Sequence, residues 1–454
     1  MSRSYFEWTR EPFDSYFEWT RELFDINNVF EKPEALKGIR VLDLSQVLIG
    51  PETASLLADF GAEVIKIEPP GMGELLRSVD LWSRFWRNNS MGVMWVQRNK
   101  YFFGLNLKHP KGKSIFYELV KKSDVIVENY VPGVMDRMEI SYTHLKEINP
   151  RLIYVSISGF GQWGERWNWP SWDAAAQAAS GTSAISGYEE RVPMKLPYYP
   201  GDMLGAAAAF MVTLAALYHR EKTGEGQYID VTQAENLARH LGFIWSYVAK
   251  KGEDWKRIGN KDISMVANAF KTRDDKMITI TAISNQHFEG LCNAMNKPEL
   301  FEKYPTIVMR LKADAREEIE SEIRDWVGSM TSDEIIELSA EHGFSAGMVR
   351  NSLEVYQDDH LRERGTVWLY NDPLFGEMVH VGPAIKMSET PGRVKWTVHP
   401  VGYHNRYILK NILAFTDEEI EELEKEKVIG YWVNFFGRTP PPEFDPKEDP
   451  LFRW

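Results

Sequence analysis

From Leu36 onward, short apolar strand-like runs alternate with helical stretches. Gly38-Ile-Arg-Val-Leu-Asp-Leu-Ser45 reads as a strand that stops at the Gly50-Pro51 break, and Thr53–Phe60 reads as a helix ended by Gly61. Ala62-Glu-Val-Ile-Lys-Ile-Glu68 is a second strand, closed by Pro69-Pro70-Gly71. After a Trp-rich segment come a strand at Tyr101–Leu107, a helix at Lys111–Lys121 and a strand at Asp124–Glu128. A short helix at Tyr142–Ile148 and a strand at Leu152–Ile157 follow. This alternation predicts parallel βαβ units and a doubly wound α/β domain of Rossmann type. No GxGxxG loop follows the first strand, so a nicotinamide dinucleotide is not indicated.

The stretch Tyr198–Tyr218 is organised differently. Pro200 and Gly201 break the chain, and the Ala206–Ala209 tract with Phe210, Leu214 and Leu217 then predicts a buried helix. Asp202 would stand at or just before the N-terminus of that helix, either as a plain N-cap or as a reactive carboxylate held by the helix dipole. Gly224-Glu-Gly226 ends the helix, Tyr228–Val231 is a strand, and Thr232–Lys250 reads as one long helix. A smaller α/β domain is expected from about Lys256, with strand, turn and strand over Phe270–Thr281, helices at Ser284–Met295 and Ala315–Ser329, and a strand at Phe344–Val349. Asp358–Arg364 carries the chain back, and Thr416–Lys427 is a Glu-rich amphipathic helix capped by Thr416. The expected divisions are 1–35, 36–255, 256–365, 366–430 and a Pro-rich aromatic tail at 431–454 that wraps over a neighbour.

Composition narrows the function classes. The chain has 454 residues and a formal net charge of -13, which argues against non-specific nucleic-acid binding. A single cysteine, Cys292, excludes an internal disulfide and reads as a buried thiol. The ten histidines lack metal spacing, and His287 reads as a polar-face residue; no metal site is indicated. The longest apolar run, near Ala206–Leu217, is shorter than the roughly 20 residues that span a bilayer, and no leader pattern opens the chain, so a cytoplasmic protein that does not bind membranes is expected. Ser4–Asp14 and Ser15–Asp25 are an 11-residue duplication differing at Pro12 against Leu23. It reads as an aromatic arm that packs on the body or on a partner, or as a duplication without a role.

Six motifs in order carry a resemblance. They are GIRVLDLSQVLIGPETASLLADFGAEVIKIEPPG, NLKHPKGK, VENYVPGVMDRM, INPRLIYVSISGFGQWG, WDAAAQAASG and YPGDMLGAAAAFMVTLAALYHREKTGEGQYIDV. Together they closely resemble the class III coenzyme A transferases, the family of formyl-CoA transferase and carnitine CoA-transferase, over roughly Leu36 to Ile429. The resemblance implies a Rossmann-like large domain built from both ends of the chain, a smaller α/β domain between them, and an interlocked dimer. It also implies that Asp202 is the covalent nucleophile, passing through an aspartyl-CoA thioester, with Gly201 and Asp173 in support. Asp173 could equally be a helix cap before Ala174–Ala179. Coenzyme A would enter as a substrate and not as a bound cofactor, meeting Leu48, Ile49, Leu105, Lys108, Asn129, Tyr130 and Arg137.

The chain departs from the pattern in places. Leu48 and Ile49 stand where formyl-CoA transferase has Gln and Ala, and Pro69 where it has Arg, so phosphate contacts there differ. Leu48, Trp169 and Trp172 point to an apolar acceptor pocket and a bulky or aromatic acid such as benzylsuccinate, although Trp163, Trp167, Trp169 and Trp172 can equally be core. Two alternatives stand beside the transferase. One is a 2-methylacyl-CoA racemase, which needs a His where Trp172 stands, and an indole is no general base. The other is a non-catalytic subunit of a heterodimer with a paralogous chain; otherwise a homodimer is implied.

Overall fold

The computed structural model describes residues 14–78, 91–372 and 376–432. The first copy of the duplication falls largely outside them, and so does nearly all of the 431–454 tail. The described chain divides into two compact units.

The larger unit gathers 26–183, 195–253 and the chain from 360 onward around one six-stranded sheet. Its strands are β1 (Arg40–Asp43), β2 (Glu63–Glu68), β3 (Lys100–Gly104), β4 (Val125–Glu128), β5 (Ile153–Ser158) and β6 (Tyr228–Thr232). They lie all-parallel in the order β3-β2-β1-β4-β5-β6, the doubly wound arrangement the alternation predicts. The order reverses between β1 and β4, so the loops leaving these two strands part there and open a crevice at the carboxyl edge.

Helices cover both faces because each strand alternates its side chains between them. One face buries Leu42, Ile65, Phe103, Ile126 and Tyr154 under α2 (Pro110–Lys121), with Ile408, Leu409, Ile420 and Leu423 from the returning chain. The other buries Val41, Val64, Val127, Val155 and Ile157. It is covered by α1 (Ile49–Asp59) and by a 24-residue helix, α4 (Pro200–Thr223), with α3 (Asp173–Ala179) beside it. A buried charge cluster ties β1, β2 and β3 together. Asp43 accepts from Lys100 Nζ at 2.8 Å and from Lys66 Nζ at 3.3 Å, and all three side chains are fully buried. Burial pushes the Asp43 carboxyl up, but Lys100 and Lys66 overcome it and hold the group below its usual range. Lys100 also donates to Pro51 O at 2.7 Å, which anchors the start of α1.

Three local expectations need correction. Gly50 and Pro51 are not a break but lie inside the first turn of α1, where proline has no hydrogen bond to lose. The single helix over Thr232–Lys250 is two, α5 (Gln233–Arg239) and α6 (Ile244–Lys251), parted at Gly242, whose φ is +55°. The helix carrying Asp202 starts at Pro200 and is longer than the apolar run inside it. By length and composition it could cross a membrane, yet Ala206, Ala209, Phe210 and Ala216 are buried in the apolar cluster that covers the sheet.

The smaller unit contains a three-stranded antiparallel sheet of β7 (Val266–Lys271), β8 (Met277–Ala282) and β9 (Ser345–Met348). The helices Asn285–Ala294, Ala313–Gly328 and Ser332–His342 pack on it over a core of Phe270, Ile278, Ile280, Phe288, Ile319 and Ile335. Cys292 lies in that core and is fully buried, which pushes its thiol up to about 12. An unforeseen antiparallel pair, β10 (Val367–Asp372) and β11 (Gly376–Val381), belongs to the larger unit.

Candidate active site

The carboxyl edge of the parallel sheet brings together residues far apart in sequence. Helix α4 runs back from this edge to the start of β6, so its N-terminus lies at the edge, as does Gln233 at the end of β6. Proline at the first helical position opens α4, and Gly224, at φ +80°, closes it with its N–H on Arg220 O at 2.8 Å.

Asp202 is not the N-cap. Tyr199 holds that place with φ +55°, and Tyr198 before it has φ +60°. Left-handed backbone costs about 1–2 kcal/mol per L-residue, and two consecutive tyrosines in it mark a segment held by its surroundings. Asp173 does the holding, from another helix. Its Oδ1 accepts the Gly201 N–H at 2.7 Å, and its Oδ2 accepts from Gln177 Nε2 at 2.5 Å. Gln177 in turn donates to Leu196 O at 3.1 Å and accepts from Leu196 N at 2.7 Å. Helix α3 thus grips the Leu196–Gly201 segment at both ends. Asp173 is the first residue of its own helix, after Trp172 at the cap position, and its carboxylate bonds the Gly201 N–H of α4. A Cβ on Gly201 would stand 2.9 Å from Asp173 Oδ1 and 3.1 Å from Leu237 Cδ1, so these side chains would have to shift.

Asp202 sits in the first turn of α4, 8% exposed, and its Oδ1 accepts from Gln233 Nε2 at 2.6 Å. Among the described residues it is paired with no lysine or arginine. Burial, then the neighbouring Asp173 carboxylate, push its carboxyl up to about 7, against the Gln233 hydrogen bond. The loop after β1 reaches the same helix. Leu48 is buried and shares an apolar cluster with Met203, and Ile49 Cδ1 lies 2.5 Å from where a Cβ on Gly205 would stand.

The other predicted contact positions line the same sheet edge in different ways. Asn129 accepts from Gln46 N at 2.7 Å and donates to Gln46 O at 2.8 Å, locking the loop after β4 to the loop after β1. Tyr130 is half-buried, and its N–H bonds Glu128 Oε2 at 2.9 Å. Leu105 is buried in the core, whereas Lys108 and Arg137 are exposed. None of the four tryptophans belongs to a core. Trp163, Trp167, Trp169 and Trp172 are exposed; Trp169 packs edge-on to Phe160, and Trp172 directly precedes Asp173.

Two features escaped the sequence reading. Gln233 directly follows β6, and its position at a strand's carboxyl end was the signal available. Glu128 ends β4 and borders a cavity of about 240 Å³ with Tyr130, Tyr154, Gln162 and Tyr228. Burial, with a smaller push from Asp230, raises Glu128 to about 7 against hydrogen bonds from Ser156 and the Tyr130 N–H.

The chain is similar to known proteins along most of its length. The family profile described as CoA-transferase family III matches residues 36–405. A succinyl-CoA:mesaconate CoA-transferase of Haloarcula marismortui is 35% identical over 364 residues, covering 78% of this chain and 91% of that protein. A succinyl-CoA–D-citramalate CoA-transferase of Chloroflexus aurantiacus is 31% identical over 400 residues, 87% of this chain and 98% of that one. A succinyl-CoA–L-malate CoA-transferase alpha subunit, also of Chloroflexus aurantiacus, is 32% identical over 398 residues, 87% of this chain and 92% of that one. In structure, a CAIB/BAIF family protein from Brucella suis superposes with a TM-score of 0.72 at 24% identity, over 83% of this chain and 99% of that one, and shows the shared fold. The three enzyme names carry no aromatic acid and no racemase. The expectation of a benzylsuccinate-like or aryl acceptor finds no support in them, and the racemase reading is not favoured.

Proposed function

The chain belongs to CoA-transferase family III, enzymes that move coenzyme A between an acyl-CoA and a carboxylic acid, and from that premise we propose that Asp202 is the covalent nucleophile of the transfer. The observation that carries this reading is a buried carboxylate beside a second carboxylate, with a neutral amide as its partner and, among the described residues, no cation paired with it. A buried carboxylate left near its ionisation point in a crevice is poised for chemistry. The ionised group attacks the acyl-CoA thioester carbonyl and expels CoA thiolate, leaving a mixed anhydride. The thiolate then attacks the aspartyl carbonyl, releases the donor acid, and forms an aspartyl-CoA thioester. The acceptor carboxylate repeats these steps in reverse and departs as its CoA ester.

Substrate identity follows the relatives. Three of them are named for succinyl-CoA and for citramalate, mesaconate or malate, so the proposed donor is succinyl-CoA and the proposed acceptor a short aliphatic dicarboxylic acid. Coenzyme A would lie along the carboxyl edge. Lys108 and Arg137 would face its phosphates, the Leu48–Ile49 loop would sit near the thioester, and Leu48, Trp169 and Trp172 would border the acyl group. Asn129 would act by fixing that loop, and Tyr130 by its ring. A dimer of two such chains, or of this chain with a paralogue, fits the outer face of α4, where Met211 and Tyr218 are more than half exposed.

Intact-protein mass spectrometry tests the reading. After incubation with succinyl-CoA, wild type should carry a CoA adduct that hydroxylamine removes, and Asp202→Ala should carry none. An equal adduct on both would sink it.

A further inference from the structure

We propose that Gln233 is a catalytic residue whose side-chain amide stabilises the negative charge that develops on Asp202 Oδ1 during CoA transfer. The inference rests on Asp202 being the nucleophile and asks which of its two oxygens attacks. Gln233 Nε2 lies 2.6 Å from Oδ1, so Oδ2 is left to attack the thioester. In the mixed anhydride, Oδ2 bridges to the acyl group and Oδ1 is the aspartyl carbonyl oxygen. When CoA thiolate adds to Cγ, the C–S bond forms and the carbonyl electron pair moves onto Oδ1. When that pair returns, the Cγ–Oδ2 bond breaks and the donor acid leaves with Oδ2. Attack of the acceptor carboxylate on the aspartyl-CoA thioester raises charge on the same Oδ1, and thiolate is expelled in place of acid. One atom therefore carries the developing charge in both addition steps at the aspartyl carbon, and it is the atom that Gln233 already touches.

The surroundings show why this amide is free for the task. Gln233 is the first residue of α5, but the cap of that helix is Thr232, whose side chain accepts from Glu235 N at 3.1 Å. The Gln233 side chain is buried, and its Nε2 donates to Asp202 Oδ1, while its Oε1 lies 3.4 Å from the Ser171 hydroxyl, which also lies 3.3 Å from Trp172 O. The N–H end therefore faces Asp202. A donor fixed before the reaction needs no reorganisation as charge appears, which gives such groups their leverage in a water-poor site.

The test compares wild type, Gln233→Met and Gln233→Asn in steady-state transfer from succinyl-CoA to mesaconate. Methionine keeps the volume and removes the donor; asparagine keeps an amide about one methylene short of Oδ1 and serves if the methionine protein does not fold. Loss of one such donor should lower kcat by about 100-fold or more, with KM for succinyl-CoA within about threefold. The acid limb of the rate should also move to higher pH, because the lost hydrogen bond favoured the ionised Asp202 over the effect of burial and of Asp173. A variant that keeps kcat within about threefold, or that loses it with an unmoved acid limb, overturns the role of Gln233. If wild type forms no hydroxylamine-sensitive adduct on Asp202, the nucleophile reading fails first and takes this inference with it; an adduct on wild type with unaffected Gln233 variants refutes this inference alone.

Discussion

Replacing Asp202 with asparagine should stabilise the protein, and more so as the pH rises. In the folded chain the carboxyl ionises near 7, whereas in the unfolded chain it ionises near the ordinary 3.8. Between those values the unfolded state has released a proton that the folded state keeps, so stability falls as the pH climbs from about 4 to about 7 and is level beyond. The displacement is about three units, or roughly 4 kcal/mol at ~1.4 kcal/mol per unit. About 2–3 kcal/mol of this develops between pH 5 and pH 8. The introduced carboxamide would keep an oxygen for the Gln233 amide and turn an N–H toward Asp173, and it has no charge to bury. Urea unfolding followed by tryptophan fluorescence at both pH values gives the measurement. Titrating groups remote from Asp202, Glu128 included, are common to the two proteins and cancel in the difference, so the comparison reads Asp202 together with the Asp173 charge coupled to it. The advantage of Asp202→Asn over wild type should be about 2–3 kcal/mol larger at pH 8 than at pH 5. Parallel stability curves would refute the argument that burial and Asp173 hold this carboxyl up.

Further outcomes follow from single contacts. In Asp173→Asn the neighbouring charge is gone, so the acid limb of the transfer rate should move below about 7; a pH–rate profile that does not move would contradict it. Gly201→Ala forces a Cβ to within 2.9 Å of Asp173 Oδ1, and steady-state kinetics should record at least a tenfold loss in kcat with a folded protein by circular dichroism, whereas wild-type turnover would show that the first turn of α4 tolerates displacement. Asp43→Ala leaves Lys66 and Lys100 without their shared carboxylate in a fully buried cluster, and should cost about 3–5 kcal/mol in urea unfolding; a loss under about 1 kcal/mol would mean water reaches the cluster.

The parallel sheet was legible because each of its strands is a short apolar run bounded by glycine, proline or a polar turn, as at Ala62–Glu68 closed by Pro69-Pro70-Gly71. The proposal for Asp202 comes from motif order. Its surroundings were not legible, since they depend on distance across the fold. Asp173 reaches the Gly201 amide over 28 positions and Gln233 reaches Asp202 over 31, and no local pattern encodes either bond. The same limit explains the misplaced cap. A Pro-Gly-Asp run reads locally as a break followed by a capping aspartate, but an orienting carboxylate from α3 takes the Gly201 N–H and shifts Asp202 into the helix. The split between α5 and α6 escaped for a different reason, because Leu237, Leu241 and Val248 keep a helical period straight across Gly242.

Under the proposed mechanism the site reconciles two demands that pull apart. A mixed anhydride and an aspartyl thioester both hydrolyse if water reaches them, so the nucleophile gains from burial. Burial raises its pKa, and a protonated carboxyl cannot attack. A lysine or arginine beside Asp202 would restore ionisation, but it would also stabilise the resting carboxylate and weaken its nucleophilicity. A neutral amide is the intermediate solution. It favours the ionised form without neutralising it, and it remains in place as charge reappears on the same oxygen. An Asp202 partnered by Gln233, near its ionisation point at neutral pH, is therefore what covalent transfer of an acyl group under water exclusion calls for.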